Sequence, residues 1–250
     1  MEAIKLDNNY DIKIVHDDNE IPKNTSDINK LKLFYILKDN QFILRFDFSI
    51  IKPNQYKKLL KKLLLIKKIL VRFKKQIGEQ KEGRTLIGYA INYDENDKLQ
   101  NDFISGINAI FLGTRYERYN YIYDTVCDYL DSFFYGKNLC DFKNNQCGEK
   151  RLANSNSYIG CCHHYKIKIL GPLISNNLTP CEHLKKDYTC GAKCIGCKLF
   201  TCDYLRKKGV RFKIKDILLL DTFFDPLQKY FIKTMVFTPK EQVIKRLMML

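Results

Sequence analysis

Apolar and polar positions alternate from Tyr10 to Val15 (Tyr-Asp-Ile-Lys-Ile-Val), the period of a short strand with one covered face, and a polar stretch from Asp17 to Lys30 follows as a loop. Leu31 to Leu37 and Phe42 to Ile50 are dense in aromatic and branched residues and flank Lys38-Asp39-Asn40-Gln41, so the two runs predict a hairpin in an antiparallel sheet. After Pro53 the period changes. Leu59, Leu63, Ile66, Leu70, Phe73 and Ile77 recur in steps of four and three, which puts them on one face of a long helix that Gly78 ends. Lysines fill much of the remaining surface, as expected of a core-facing helix with a solvated basic back. Arg84 to Tyr93 reads as another strand, and Asp97 to Phe134 as one or two helices around a break at Gly113. The second carries a stripe of Tyr116, Tyr119, Tyr123, Val126, Leu130 and Phe133, a packing face rather than a stacking platform.

Composition shifts near residue 138. Nine of the ten cysteines and three of the four histidines fall between Cys140 and Cys202, after which helical patterning returns. Ile217 to Ile232 is one candidate helix, and Thr238-Pro239-Lys240-Glu241 announces another with a hydroxyl N-cap, a proline at the first position and a glutamate at the third. The expected fold is α+β: a small N-terminal antiparallel sheet with a long basic helix, a helical connector, and a loop-rich Cys/His metal-binding module closed by C-terminal helices. The expected domains are 1–137 and 138–250. Internal repeats and low-complexity tracts are absent from the sequence.

A formal charge of +15 over 250 residues invites a nucleic-acid or anionic-surface reading. Lysine outnumbers arginine 34 to 9, and the chain is rich in Ile, Asn, Tyr and Phe with no Trp, the pattern expected of an AT-rich genome, so codon bias is an alternative to function as the source of part of the charge. Arginine is the residue that reads phosphate and guanine bidentately, and a lysine-heavy surface points to nonspecific attraction first. Met1 to Asn8 has neither the basic start nor the apolar run of a secretory signal, and Leu63 to Ile66 is broken by lysine pairs well short of the roughly 20 residues a bilayer needs. A cytoplasmic protein without a transmembrane segment is expected, in which Asn24-Thr25-Ser26 is a sequon only in form.

In a reducing compartment this density of cysteine reads as thiolate ligation. The candidates run Cys140-x6-Cys147-x13-Cys161-Cys162-His163-His164-x16-Cys181-x-His183-x6-Cys190-x3-Cys194-x2-Cys197-x4-Cys202. Cys194-Ile-Gly-Cys197 has the spacing that supplies two ligands from one turn at little loop entropy, and Gly191 and Gly196 would let the backbone wrap closely around an ion. One closed site is assigned to Cys190, Cys194, Cys197 and Cys202. A second draws on Cys140, Cys147, Cys161, Cys162, His163, His164, Cys181 and His183. An extended Cys161-to-His164 backbone would send alternate residues to opposite faces, so only part of that quartet serves one ion. Cys127, alone on a helix, reads as a buried thiol, and His16 as an exposed loop residue. Zinc is the expected metal, with an iron–sulfur cluster as the alternative for the same thiolates. Cys190-x3-Cys194-x2-Cys197 reproduces the bare spacing of radical S-adenosylmethionine enzymes, but Gly196 stands where that family has an aromatic, and about 50 residues are too few for its barrel.

Arg118 to Leu220 carries Tyr123-Asp124-x2-Cys127-Asp128-Tyr129-Leu130-Asp131, Gly160-Cys161-Cys162, and Cys197-Lys198-Leu199-Phe200-Thr201-Cys202-x-Tyr204-Leu205. In these motifs the chain resembles a cysteine-rich family of hypothetical proteins from low-GC Gram-positive bacteria of the Clostridium type. That resemblance implies a bacterial cytoplasmic origin and the cysteine module; it transfers no catalytic residue. The N-terminal part suggests no family. G-x-S-x-G, P-loop, dinucleotide and H-E-x-x-H patterns do not occur in the sequence. The functional expectation is a structural-zinc protein whose lysine-rich surface contacts nucleic acid or an acidic protein partner. Its rivals are an iron–sulfur or thiol redox protein or enzyme, with Cys161 and Cys162 as a vicinal pair, and a metal sensor or store.

Overall fold

The computed structural model describes residues 3–6, 10–14, 26–27, 33–35, 37–38, 41–76, 85–141, 143, 147–148, 151, 183, 185–186 and 191–250. The chain divides into two units, Met1–Arg118 and Tyr119–Leu250.

The first unit carries one sheet. Its strands are β1 (Ala3–Leu6), β2 (Tyr10–Ile14), β3 (Ser26–Asp27), β4 (Leu33–Tyr35), β5 (Leu37–Lys38), β6 (Gln41–Asp47) and β7 (Thr85–Ile91). They lie in the order β1-β2-β7-β6-β4-β3, with β5 also on β6. The expected antiparallel sheet is corrected here. β7 runs parallel to both its neighbours, pairing Gln41↔Thr85 through Asp47↔Ile91 with β6 and Tyr10↔Leu86 through Ile14↔Ala90 with β2. Antiparallel pairing is confined to the flanks, as in Leu37↔Phe42 beside Lys38↔Gln41. The reason is topological. A parallel pair needs a long crossover between its strands, and helix α1 (Tyr56–Gln76) lies between β6 and β7, whereas turn chemistry in a sequence reports only pairings between near neighbours. Helices make up most of the regular structure among the described residues.

Of the expected stripe, Leu59 and Leu63 are buried beside Tyr56 and Leu60 and Ile66 is half-buried, while the side chains of Leu70 and Phe73, and residues Ile77 and Gly78, lie outside the described residues. Helix α2 (Lys98–Phe111) opens on Asp97, whose carboxylate accepts from the amides of Leu99 at 2.8 Å and Gln100 at 3.3 Å. The two helices meet closely, since a Cβ on Gly106 of α2 would lie 2.7 Å from Leu60 Cδ1. Around them Phe103 makes ring contacts with Phe46, Phe48 and Tyr56, the last at 4.9 Å between centroids. Asp47, at the end of β6, ties down the turn after it by accepting from Ser49 and from Asn92 Nδ2 at 3.1 Å. Thr114 and Glu117 exchange amide bonds in a capping box, so the break at Gly113 separates two helices and α3 (Arg115–Gly136) begins afresh.

The second unit gathers most of α3 and the short helices α4 (Ile195–Leu199), α5 (Asp203–Lys207), α6 (Leu218–Phe223), α7 (Pro226–Thr234) and α8 (Lys240–Met249). Tyr123, Val126, Cys127 and Leu130 of α3 are buried in this unit, as are Ile195 and Leu219. Ile217 to Ile232 is broken into α6 and α7 because Asp225-Pro226 starts a helix: Asp225 accepts from the Gln228 amide at 2.9 Å and Gln228 reaches back. Gln228 is buried and its amide donates to Tyr119 Oη at 3.0 Å, fixing α7 to α3. At α8 the cap is Pro239, not Thr238, whose hydroxyl donates instead to the Val236 carbonyl. Among the described residues between Cys140 and Cys202, helix α4 stands where a loop-rich metal module was expected and no group of side chains is placed to hold a metal, so that expectation is corrected as well. No described helix is long and apolar enough to cross a membrane.

Lys67 on α1 extends its ammonium to the end of α2, donating to the carbonyls of Ile110 and Leu112, each at 2.6 Å. Burial, then the Arg118 guanidinium, pull its pKa from 10.5 down to about 8 against the pull of Glu117. A neutral amine still has two N–H groups for the two carbonyls. Because the folded value lies below the unfolded one, the folded state sheds this proton first, so stability rises from about pH 8 towards 10.5. In thermal melts the stability advantage of wild type over Lys67→Met should therefore widen between those pH values; a constant gap would contradict the assignment.

Candidate metal centre

Cys194 occupies the N-cap of α4, with extended backbone, and its sulfur accepts the Cys197 amide at 3.4 Å. Cys197 Sγ in turn accepts the Phe237 amide at 3.0 Å, from the segment entering α8. The Cys194 thiol donates to the Met235 carbonyl at 3.3 Å. Both cysteines are buried, and both sulfurs receive a backbone N–H.

The turn carrying them is fixed from α3. Asp124, Asp128 and Asp131 recur at steps of four and three and so share one helix face. Asp124 Oδ1 receives Lys193 Nζ at 2.9 Å and its Oδ2 receives Lys240 Nζ at 2.8 Å. Asp128 stands 3.5 Å from Lys193, and Asp131 takes the buried Lys198. On the same helix Tyr123 Oη accepts the Ile195 amide at 3.2 Å, and Cys127 Sγ donates to the Lys193 carbonyl at 3.0 Å. Burial pushes both of these groups up, with Cys194 and Cys127 adding to the effect at Tyr123, so each stays protonated and serves as a neutral partner. Cys127 is accordingly a buried thiol that positions the knuckle's backbone.

Gly196 inside the knuckle has a reason other than wrapping an ion. A Cβ there would stand 2.8 Å from the carbonyl oxygens of both Ile232 and Met235, so α4 lies hard against the end of α7.

Cys140, Cys147 and Cys202 are held by a different set of contacts. The Gly148 amide donates to the Cys140 carbonyl at 2.7 Å, the Arg151 amide to the Cys147 carbonyl at 3.1 Å, and the Arg151 guanidinium to Asp141. Tyr204, two residues beyond Cys202, donates to Asp141 Oδ2 at 3.2 Å and packs its ring where a Cβ on Gly148 would sit. Cys202 is thus linked to the Cys140–Cys147 segment through Tyr204. His183 is half-buried, and its carbonyl accepts the Gly191 amide at 2.8 Å, three residues before Cys194. Cys161, Cys162, His163, His164, Cys181 and Cys190 lie outside the described residues. Among the described residues no three His, Cys, Asp or Glu side chains stand close enough together to hold a metal ion.

Sequence reasoning missed the partners of the knuckle: the aspartates of α3, Tyr123, Lys193, Lys198 and the amide of Phe237. The aspartate spacing was visible, but nothing local names the lysines it meets. Comparison with family models, curated proteins and solved structures gives no match to the chain.

Gly196→Ala should destabilise the protein by about 1–3 kcal/mol, since backbone rather than a side-chain tip must move. Gly136→Ala, with open space around the added methyl, should not lower the urea midpoint; equal loss in both would contradict the close approach. Burial alone would raise Asp124, but hydrogen bonds from Lys240 and Lys193 outweigh it and hold the carboxyl below its ordinary 3.8. A depressed carboxyl lends stability above its unfolded pKa and loses it as pH falls through the folded value. The deficit of Asp124→Asn should be constant above about pH 4 and fade below it; a deficit unchanged down to pH 2 would show that the ion pairs do not carry it.

Proposed function

We propose that this is a zinc-binding protein in which Cys194 and Cys197 form a two-thiolate knuckle and the metal is structural. The observation that supports the reading most is the pair of amide-to-sulfur bonds, 3.4 Å to Cys194 and 3.0 Å to Cys197, within a turn anchored by Lys193 and Lys198. Zinc takes four thiolate or imidazole ligands in a tetrahedron, and a turn that delivers two of them lowers the entropic cost of the site. Cys181, His183 and Cys190 are the candidates to complete it, and a mixed sulfur and nitrogen set favours zinc over an iron–sulfur cluster. Metal binding would replace the Cys194 thiol proton that now meets the Met235 carbonyl. Coordination closed by protein ligands leaves no position for a reactive water, so the role is binding rather than hydrolysis, with the basic surface directed at a polyanion. Cysteine-rich metal sites of this kind need a reducing compartment, which supports a cytoplasmic setting.

Elemental analysis of the full chain purified without oxygen should give at least one zinc per molecule, with one equivalent lost in Cys194→Ser and in Cys197→Ser but not in Cys127→Ser. A chelator should lower the thermal midpoint of wild type and leave that of the two knuckle variants unchanged. Iron with acid-labile sulfide, or zinc retained by both knuckle variants, would overturn the reading.

A further inference from the structure

We infer that the second unit binds single-stranded nucleic acid in a groove beside the knuckle, formed by α4, the strap from Phe200 to Lys215 and the outer face of α7. The groove encloses about 690 Å³, and among the described residues no carboxylate lines it. Its rims are cationic. Lys229 is held in place by Asp221, Nζ to Oδ1 at 2.5 Å, and Arg206 by Asp203 at 2.6 Å. Lys213, Lys215 and Lys233 are exposed and have no acidic partner among the described residues, leaving three ammonium groups for phosphate.

Aromatic rings stand between these charges. Tyr230 on α7 is 64% exposed, and Phe200 and Phe212 are half-buried in the groove. Phe212 is kept rigid by edge contact with Phe133, 5.0 Å between centroids, and by Phe134 at 5.5 Å. Cations that follow a backbone, interleaved with ring faces on which bases stack, make up the chemistry of sequence-tolerant single-strand binding. An acidic peptide would use the cations, but its carboxylates offer no aromatic face to Tyr230, and a duplex keeps its bases stacked inside. The inference rests on the groove's own cations and rings and stands whether or not the knuckle carries zinc.

The test is fluorescence anisotropy of a labelled oligo-dT of about 12 nucleotides with the full chain, at salt between roughly 50 and 200 mM. Binding should be saturable and fall with salt, and Lys213→Ala, Lys215→Ala and Lys233→Ala together should flatten the log–log salt slope by about 2, near 0.7 per phosphate contact. Tyr230→Ala should weaken the oligonucleotide roughly tenfold and leave a heparin fragment unaffected. All four side chains are exposed, and an unchanged thermal midpoint shows that the fold persists. Three results would each overturn the inference: no saturable binding, equal loss of heparin and oligonucleotide in Tyr230→Ala, or a larger loss from Lys58→Ala with Lys61→Ala on the exposed face of α1. Metal content is measured on the same samples, so a zinc-free chain that still binds would overturn the knuckle and keep the groove.

Discussion

Lys198 is an almost fully buried ammonium, and that fact constrains the whole second unit. A charge out of water without a partner costs several kcal/mol, so the turn that carries Lys198 must stay against Asp131 of α3. Lys193, five residues earlier, is bound to Asp124 and Asp128 on the same face, and Lys240 adds a third chain segment to Asp124. These contacts join residues 67, 69 and 116 positions apart in the chain. Between Lys193 and Lys198 lie both cysteines of the knuckle, so the ion pairs set where the sulfurs are held.

Packing closes the arrangement from the other side. Gly196 brings α4 against the last carbonyls of α7, and the chain leaving α7 delivers the Phe237 amide to Cys197. The same approach makes α4 and α7 two walls of the cationic groove, with Gly196 in its lining. One close contact between two backbones therefore shapes the sulfur pair and the groove together. The first unit is organised separately, around a parallel strand pair that α1 connects and a close approach of α1 to α2 at Leu60 and Gly106.

Features governed by local chemistry were legible in the sequence. The first part of α1's apolar stripe, the break at Gly113, the helix near the C-terminus and the buried state of Cys127 all follow from periodicity, propensity or composition within a short window. What depends on residues far apart was not. β7 was seen as a strand, but its parallel partners are set by the whole crossover, which no turn signal encodes. Asp225-Pro226 was overlooked as a helix start because the apolar pattern runs through it. At the candidate centre, Cys194-x2-Cys197 was found by spacing, whereas the bond from Tyr204, beside Cys202, to Asp141 spans residues too far apart for any local signal to encode. Asp124, Cys127, Asp128 and Asp131 stood out as a motif without a reason; the reason is a turn with two lysines, 67 and 69 residues beyond their aspartates.

Cobalt(II) titration of the metal-free chain, followed by absorption, addresses the central claim most directly, because thiolate-to-cobalt charge transfer and tetrahedral ligand-field bands report sulfur ligation itself. The account expects both sets of bands to grow to saturation, to be bleached by zinc, to weaken when either Cys194 or Cys197 becomes serine, and to survive Cys127→Ser. Bands of full intensity in the Cys194→Ser, Cys197→Ser double variant, or no thiolate band in wild type, would contradict it.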